Sequence, residues 1–438
     1  MQRDRSRSGA MYFFCCVLLL LLGVTVAAVA NGLDAAPTLA RVEFSGSGRI
    51  LLRPDPTREL PFAELPARWT AGQPTLSVAY VSGSYPEVGA TVEMAHRTFT
   101  APVLMRGNGP DGMSFPPLPA VVRESGGTTA VTYPAHPSTI PFDPGTVCCY
   151  DPFTVSWELS ADNGATWMRA GESSTTIYVT RGRPTPEHPE MGFGYIESLF
   201  DISCRSAHGY SSEADIIQHV WSEFTDLVVR TKKGDTLAFY PHKQNNQQET
   251  TAGLILCRSG VCFAWAHLLI DLLRIQGITR HGSYVVLSAP NTTSCGPVIG
   301  MLMPNCTFGT PSAAATCPDF PYLAAFARPL TGDLIGPDVF SKPGLAGQGE
   351  PDPMSLFHDH ALVLIDGVYY DPSYGRTFAS LDEFVNGIAG WAVESMVNES
   401  QVHLDLNGNH RIEDLDVKVA RVSNDPHRCR LSVVRSDY

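Results

Sequence analysis

The sequence has no extended cluster of lysine and arginine. Its 31 Lys and Arg residues are outnumbered by 44 Asp and Glu residues, which gives a formal net charge of −13. Nucleic acids and anionic lipid surfaces attract clustered positive charge, so this balance argues against both of them as partners.

The sequence also has only one long apolar run. This run, at 11–22, follows three arginines within the first seven residues and precedes the small residues Ala-Val-Ala at 28–30. The order is typical of a secretory signal, so residues 1–30 are predicted to be a cleaved signal peptide. An uncleaved anchor is the alternative, because an apolar stretch reaching residue 30 is long enough to span a bilayer. With cleavage we expect a secreted or cell-envelope protein with no membrane segment; the sequence leaves its oligomeric state open.

Cysteine usage fits an exported protein. Of the 11 cysteines, Cys15 and Cys16 lie in the predicted signal, which leaves nine. An oxidising compartment favours disulfides, and an odd number of cysteines predicts one free thiol. We expect up to four bridges among the other eight, with connectivity that spacing does not determine. The alternative is that all the cysteines are reduced and buried.

The N-terminal part of the exported chain, 31–180, has the pattern of an all-β region. It is rich in Pro, Gly, Thr and Val and has no sustained helical period. Turn clusters separate six short β-type runs: Arg41–Phe44, Thr75–Val81, Ala90–Met94, Ala130–Tyr133, Thr154–Leu159 and Thr175–Val179. This pattern predicts a β-sandwich region of one or two small domains, followed by a proline-rich linker at 181–192.

A short motif inside this region, Ser160–Trp167, resembles an Asp-box. Its Asp162 and Gly164 suit a tight hairpin turn, and Trp167 is expected to pack beneath that turn. Sialidases carry several such boxes and this chain has one, so a structural hairpin is the preferred interpretation over a carbohydrate-active protein.

Residues 193–395 combine helical and strand patterns, which makes the whole chain α+β. Helices are predicted over Glu213–Val229 and Val261–Gln276, the second ending at Gly277, and a strand over Tyr284–Leu287. The Pro- and Gly-rich segment 288–353 is predicted to be a lid that Cys295, Cys306 and Cys317 staple, because loops of this length are usually functional. A C-terminal segment, 396–438, completes the predicted order of domains.

Cys262 is the first candidate catalytic residue. Ser259 and Gly260 predict a sharp turn that places Cys262 in the first turn of the second helix. A helix N-terminus favours the thiolate form, and its unpaired N–H groups can hold an oxyanion. A buried helical cysteine is otherwise usually a small hydrophobe. Cys257, at the end of the run Leu254–Cys257 that is predicted to be extended, is the better disulfide candidate.

A predicted β-hairpin supplies the other two candidates. Asp366-Gly367 is a strong two-residue turn signal between apolar strands. Pairing about this turn places Asp371 on the same face as His360 and diagonal to it, within reach for a carboxylate to orient an imidazole. His358 has the same parity but lies farther from the turn, so it is the second choice.

Two other roles for the histidines are less favoured. A metal pair formed by His358 and His360 finds no convincing third and fourth ligand in the sequence. His267 lies five residues past Cys262 on a different helix face, so we interpret it as structural.

The order Cys262, His360, Asp371, with Gly-Val-Cys opening a Leu-rich helix, resembles the transglutaminase-like superfamily, which shares the papain-like core. Within it, the segments Gly344–Pro353 and Tyr370–Gly375 resemble exported bacterial members that carry an N-terminal β-domain. The resemblance covers about residues 201–391.

This resemblance implies Cys262 as nucleophile, His360 as general base and acid, and Asp371 as the orienting group. A side-chain oxyanion donor is expected as well, and Trp221 and Gln348 are its candidates. The implied activity is thioester-forming acyl transfer on amide or peptide bonds of a protein or peptide substrate, with no cofactor required and hydrolysis favoured over amine transfer. The alternative is a non-catalytic cell-surface or secreted binding protein that uses the core as a scaffold.

A candidate calcium loop lies near the C-terminus. The stretch 405–416 resembles a dockerin or EF-hand-like loop. Five of its residues occupy alternate or terminal positions: Asp405, Asn407, Asn409, Arg411 and Asp416. Oxygen ligands at this spacing can wrap a hard cation, although His410 stands where a glycine is usual. A structural calcium ion is one interpretation and an acidic surface loop is the other.

Overall fold

The fold is taken from a computed structural model. It describes residues 36–57, 67–73, 77–185, 195–239, 248–279, 281–288, 298–302, 345–351, 353, 356–357, 359–381, 383–384, 391–394, 402–404, 417–419, 421–423 and 432–436. The predicted signal peptide, His358, the cysteines at 295, 306, 317 and 429, and the candidate calcium loop with its five named residues lie outside the described residues. Within them the chain is a mixed α+β protein with several antiparallel sheets.

The N-terminal unit consists of two facing sheets. Its strands are β1 (Thr38–Ser45), β2 (Arg49–Ile50), β3 (Arg68–Thr70), β4 (Ser77–Val81), β5 (Glu87–Ala95), β6 (Leu104–Asn108), β7 (Ser114–Pro119), β8 (Val121–Ser125), β9 (Thr128–Pro137), β10 (Cys148–Ser160) and β11 (Met168–Thr180). One sheet has the order β3-β1-β5-β9-β8 and the other β2-β4-β11-β10-β6-β7. The described residues of all six β-type runs predicted from the sequence lie on these strands.

Four strands that the sequence did not predict, β2, β3, β7 and β8, lie at sheet edges. β7 contains three prolines, and proline is tolerated at an edge because no neighbour needs its missing N–H. β8 is exposed along its whole length, so it lacks the alternation of apolar and polar residues that marks a half-buried strand.

The core between the sheets centres on Trp157 of β10. Its ring stacks on Phe115 at 5.8 Å and meets the edge of Tyr133 at 5.5 Å, and all three side chains are buried. Its indole N–H donates to Ser173 Oγ at 3.3 Å, which satisfies the one polar atom that the ring carries into the core.

The Asp-box is a structural hairpin, as predicted. Asp162 accepts hydrogen bonds from the backbone N–H and the hydroxyl of Thr166, at 2.9 and 2.6 Å. These bonds lower the pKa of Asp162 to about 2. The turn joins β10 to β11, and the Arg106 guanidinium lies 4.1 Å from the Trp167 ring.

The described residues of the second unit form four helices and thirteen strands. The helices are α1 (Glu197–Ser206), α2 (Glu213–Thr225), α3 (Thr251–Cys257) and α4 (Cys262–Ile275). The strands are β12 (Ala238–Phe239), β13 (Ser259–Gly260), β14 (His281–Ser288), β15 (Val298–Leu302), β16 (Leu356–Phe357), β17 (Asp359–Ile365), β18 (Val368–Asp371), β19 (Arg376–Phe378), β20 (Trp391–Glu394), β21 (Val402–Leu404), β22 (Val417–Val419), β23 (Arg421–Ser423) and β24 (Ser432–Ser436). The largest sheet is antiparallel, with the order β19-β18-β17-β14-β24, and α4 packs against β17. A four-stranded sheet (β16-β15-β20-β23) includes β15, so part of the predicted lid is sheet.

Both predicted helices are present, and one prediction beside them is wrong. The run Leu254–Cys257 is helical, in α3, and not extended. The start of α3 is capped by Thr250, whose hydroxyl accepts from the Gly253 N–H at 3.1 Å. This capping signal is local in sequence, but the apolar run after it favoured the prediction of a strand. Helix α2 ends at Thr225, four residues before the predicted end, because Leu227 has a left-handed φ of 60°.

Helix α4 ends as predicted at Gly277. The glycine has a φ of 72°, its N–H donates to Arg274 O, and the N–H of Ile278 donates to Leu273 O. This pair of bonds is a Schellman cap, which favours glycine because a left-handed φ strains other residues.

The two units share apolar and polar contacts. Leu52 and Tyr178 of the sandwich belong to the same buried cluster as α1 and α4. The first residues of the predicted linker also bind the end of α4: Arg181 N–H donates to Gln276 Oε1 at 3.0 Å, and Gly182 N–H donates to Gln276 O at 3.1 Å. This part of the linker is therefore fixed to the helix.

A cluster of paired charges lies beside this junction. Asp201 of α1 accepts from the Tyr178 hydroxyl at 3.1 Å and lies 3.0 Å from the Arg205 guanidinium and 3.3 Å from Lys232 Nζ. Lys232 also binds Asp151 of β10, at 3.0 Å. The four charged groups line a cavity of about 450 Å³, and because their charges are paired with one another, the cavity is best explained as structural.

None of the helices in the described part of the chain has the length and apolar character needed to cross a membrane.

Gly375, just past β18, allows α2 to approach the hairpin, and replacing it tests that contact. It has a φ of 61°, and a Cβ there would collide with the carbonyl oxygen of Phe224. Gly375→Ala is expected to lower the free energy of unfolding by more than about 3 kcal/mol, since a collision adds to the left-handed strain of roughly 1–2 kcal/mol. Gly234→Ala is the control, with a φ of 85° and nothing within 4 Å. Urea unfolding of both variants measures the difference, and equal losses would contradict the close approach.

Candidate active site

Cys262 is the first residue of α4, as the sequence predicted. The chain leaves α3 through Arg258, at a left-handed φ of 59°, and passes through β13. A side chain at Gly260 would lie 2.9 Å from the Ala264 Cβ and 3.1 Å from Gln248 O, so only glycine fits this turn into the helix. Val261 holds the N-cap position without a side-chain hydrogen bond, so no side chain at that position caps the first-turn N–H groups.

The hairpin that carries His360 and Asp371 has the predicted register. Ile365 pairs with Val368 and Val363 with Tyr370, about a two-residue turn in which Asp366 and Gly367 both have positive φ. In this register Asp371 lies diagonally across from His360 on the neighbouring strand. His360 Nε2 and Asp371 Oδ2 are 2.9 Å apart, and both side chains are fully buried.

The carboxylate of Asp371 is held from its other side. Its Oδ1 accepts backbone N–H bonds from Ser373 at 3.1 Å and Tyr374 at 3.4 Å. One oxygen is therefore engaged by the turn after β18 and the other by the imidazole. The carboxylate cannot rotate without losing both sets of bonds, so it fixes the plane of the His360 ring.

Aromatic rings enclose His360. Phe384 lies parallel to it at 5.7 Å between ring centroids, and Tyr374 lies at 5.8 Å. Burial by itself lowers the pKa of the imidazole. The Asp371 carboxylate raises it, through charge and hydrogen bonding, and interaction with Cys262 raises it further. The net effect is that the pKa of His360 is raised to about 10. The ring therefore holds a proton at neutral pH.

These contacts join the three predicted residues into one site. With Nε2 engaged by Asp371, the opposite ring nitrogen is the one available to the thiol of Cys262, which is 2 % exposed. The thiolate is the nucleophilic form of cysteine, and an adjacent imidazole can take the thiol proton to form it. The arrangement can therefore support attack on a carbonyl carbon, followed by proton donation to a leaving amine.

The two candidates for a side-chain oxyanion donor are placed differently. Gln348 is fully buried, and its Nε2 donates to the carbonyl oxygens of Phe224 at 2.7 Å and Pro372 at 2.9 Å. Both N–H groups of its side chain are engaged, so Gln348 has no donor left to bind an oxyanion. Trp221 lies against Phe224 and against Tyr370, the neighbour of Asp371 along β18.

The other histidine and cysteine predictions have mixed outcomes. His267 is structural, as predicted: its Nδ1 lies 2.9 Å from the carbonyl oxygen of Glu249. No group of three or more His, Cys, Asp or Glu side chains in the described ranges could hold a metal ion. Cys257 ends α3, and none of the five cysteines that the structure describes is paired with another. The predicted disulfides stay a prediction, since the remaining cysteines fall outside those ranges.

Three residues of the site had no predicted role. Ser373 and Tyr374 follow Asp371 at the spacing of an Asx-turn, in which a side chain accepts N–H bonds from residues two and three places ahead. That local signal was available. Phe384 lies 24 residues beyond His360 in sequence, and no local pattern indicates that it stacks on the imidazole.

Comparison with known protein families gives no matching family model, and comparison with curated proteins gives no significant match. The functional argument therefore depends on the geometry of the site.

The site predicts selective alkylation of a buried thiol. At pH 6, iodoacetamide is expected to modify Cys262 faster than Cys149, although Cys149 is the more exposed of the two. Burial raises the pKa of Cys149 to about 11, so it stays a thiol, whereas Cys262 lies at a helix start beside an imidazole that can take its proton. Peptide mapping by mass spectrometry measures the order. Cys262→Ser should remove the fast phase and His360→Asn should slow it; faster labelling of Cys149 would contradict the activation of Cys262 by His360.

Proposed function

We propose that this chain is an exported cysteine-nucleophile acyl-transfer enzyme with a papain- or transglutaminase-like core. Cys262 is its nucleophile, His360 its general acid and base, and Asp371 the residue that orients His360. The observation that carries the proposal is the buried 2.9 Å hydrogen bond between His360 and Asp371, with Cys262 at a helix N-terminus and near enough to the same imidazole to raise its pKa. All three residue types and their order agree with the resemblance found in the sequence.

The first half of the reaction forms a thioester. The Cys262 thiolate attacks the carbonyl carbon of an amide, a C–S bond forms, and the carbonyl π electrons move onto oxygen. First-turn N–H groups of α4 hold this oxyanion. The oxyanion then collapses, the C–N bond breaks, and His360 gives its proton to the departing amine, so that the amine leaves neutral.

The second half resolves the thioester. Water or a second amine gives a proton to the now neutral His360 and attacks the thioester carbonyl, and the C–S bond breaks to return the thiolate. Hydrolysis and amine transfer thus use the same three residues. We favour hydrolysis, because an exported enzyme works in water and an amine acceptor must compete with it.

One observation favours a second candidate function. Cys262 is 2 % exposed, and His360 and Asp371 are fully buried. A scaffold that binds a partner through other surfaces has no need of an accessible thiol. The alkylation described above separates the two functions, since a scaffold has no reason to keep Cys262 more reactive than Cys149.

Acyl transfer to hydroxylamine tests the proposal directly. The purified exported chain is incubated with hydroxylamine and either N-acetyl-glutaminyl-glycine or casein, and the hydroxamate product is quantified. Cys262→Ala should abolish it, and Asp371→Asn should lower the rate by about 10²- to 10⁴-fold, because the imidazole loses the partner that sets its orientation and charge. Wild-type chain that forms no hydroxamate or hydrolysis product from either donor, and whose Cys262 is no more reactive than Cys149, would support the scaffold.

The unusual valine at the helix N-cap provides a second test. Val261→Thr keeps the shape of the side chain and adds a hydroxyl that can accept from the Ala264 N–H, as capping residues do. Thermal stability should stay level or rise, while hydroxamate formation falls by about tenfold or more, because an oxyanion-holding N–H becomes occupied. Val261→Ala is the control, which removes buried methyl groups but adds no acceptor. Equal activity of the Thr variant and wild type would contradict an oxyanion site at this helix start.

A further inference from the structure

The segment around Gln348 is inserted between the hairpin and the end of α2. The main-chain N–H of Gln348 donates to Ser373 O at 3.0 Å, and the main-chain carbonyl of Gln348 accepts from the Phe239 N–H at 2.7 Å. The Gly349 N–H donates to Leu227 O at 2.8 Å. A Cβ at Gly347 would lie 2.7 Å from the Phe239 ring, so glycine on this side of Gln348 lets the segment enter a narrow space.

The side chain of Gln348 connects two elements that are far apart in sequence. Its amide donates to Phe224 O, at the end of α2, and to Pro372 O, in the turn after Asp371. Phe224 O belongs to the last turn of a helix, where carbonyl groups lack helical partners, and Pro372 O is the carbonyl next to Asp371. The amide orientation is unambiguous, because only N–H groups can bind two carbonyl oxygens.

Gln348 and Asp371 therefore act on the same short turn. Asp371 accepts the backbone N–H groups of Ser373 and Tyr374, while Gln348 binds the carbonyl groups of Pro372 and Ser373. The turn is held through its N–H groups from one side and through its carbonyl groups from the other. A shift of this turn moves the carboxylate that His360 depends on.

We propose that Gln348 is a positioning residue of the catalytic triad: by clamping the Asp371–Tyr374 turn to α2, it sets the carboxylate geometry that orients the His360 imidazole. The role goes beyond the proposed reaction but rests on it, since it matters for catalysis only if His360 is the acid and base. It also replaces the oxyanion role that the sequence suggested for the same residue.

The test compares two buried glutamines. Gln348→Met removes both donors and keeps a side chain of similar length. Gln276→Met is the matched control, because Gln276 is also fully buried and also donates through Nε2, to Ser203 Oγ at 2.8 Å, at the opposite end of α4 from Cys262. Both substitutions should lower thermal stability, so stability alone does not distinguish them.

The distinguishing measurement is the protonation midpoint of the His360 ring, followed by nuclear magnetic resonance in chain labelled with ¹⁵N-histidine. The groups that set this midpoint are Asp371 from β18 and Cys262 from α4. In Gln348→Met the midpoint should fall by about one pH unit or more toward the ordinary histidine value, as it should in Asp371→Asn, because the opposite charge is less well placed. Gln276→Met should leave it unchanged.

A double substitution checks the route of the effect. Gln348→Met should lower the midpoint little further in an Asp371→Asn background, because the two residues act through one carboxylate. If Gln348→Met fails to fold, Gln348→Asn keeps the amide but shortens the side chain by one methylene group, so its N–H groups cannot reach both carbonyl oxygens, and a downward shift is again expected. An unchanged midpoint in the folded variant overturns the positioning role.

The two proposals fail in different experiments. The midpoint of His360 needs no substrate and no reaction at Cys262, so it decides the role of Gln348 even if no acyl transfer is found. Suppose that the His360 midpoint falls in Gln348→Met as expected, but the wild-type chain is inert toward iodoacetamide and hydroxylamine. The enzyme proposal would then be contradicted, and the positioning role of Gln348 would be supported.

Discussion

One hydrogen bond between two fully buried side chains, from His360 to Asp371, sets the conditions that the surrounding structure must meet. A charge removed from water is costly unless it is paired and its remaining hydrogen-bonding capacity is satisfied. The N–H groups of Ser373 and Tyr374 satisfy the carboxylate, and the rings of Phe384 and Tyr374 keep water from the imidazole. In such surroundings the attraction between the two groups is stronger than it would be at a surface, which is why the ring keeps its proton.

The rest of the unit brings a thiol to this pair. Helix α4 packs on β17, so its first residue and the histidine of that strand meet at one end of the helix. The turn before the helix is shaped by Arg258 and Gly260, and the pairing of β12 with β13 fixes where that turn begins. The site is thus built at the junction of a helix start and a hairpin, two features that depend on few neighbours.

That dependence on local features explains which parts of the structure the sequence predicted. The start of α4, the hairpin register and the sandwich strands follow from turn residues and apolar periodicity within short windows. The helical state of Leu254–Cys257 was missed because four apolar residues fit a strand equally well. Contacts of large sequence separation, such as Gln348 with Phe224 and His360 with Phe384, leave no periodic trace, and the edge strand β7 was hidden by its prolines.

The bonds between Gln276 and the segment that follows β11 have a consequence for how this chain can change over evolutionary time. Arg181 and Gly182 are hydrogen-bonded to Gln276, just past the helix that begins with Cys262, and the Thr185 N–H donates to Arg274 O in its last turn at 3.2 Å. A gene fusion that joined a different β-domain at residue 181 would have to reproduce this docking, or the far end of α4 would lose its support. The sandwich is consequently no interchangeable module: natural recombination that keeps this core functional should exchange both units together, or cut the chain beyond Thr185.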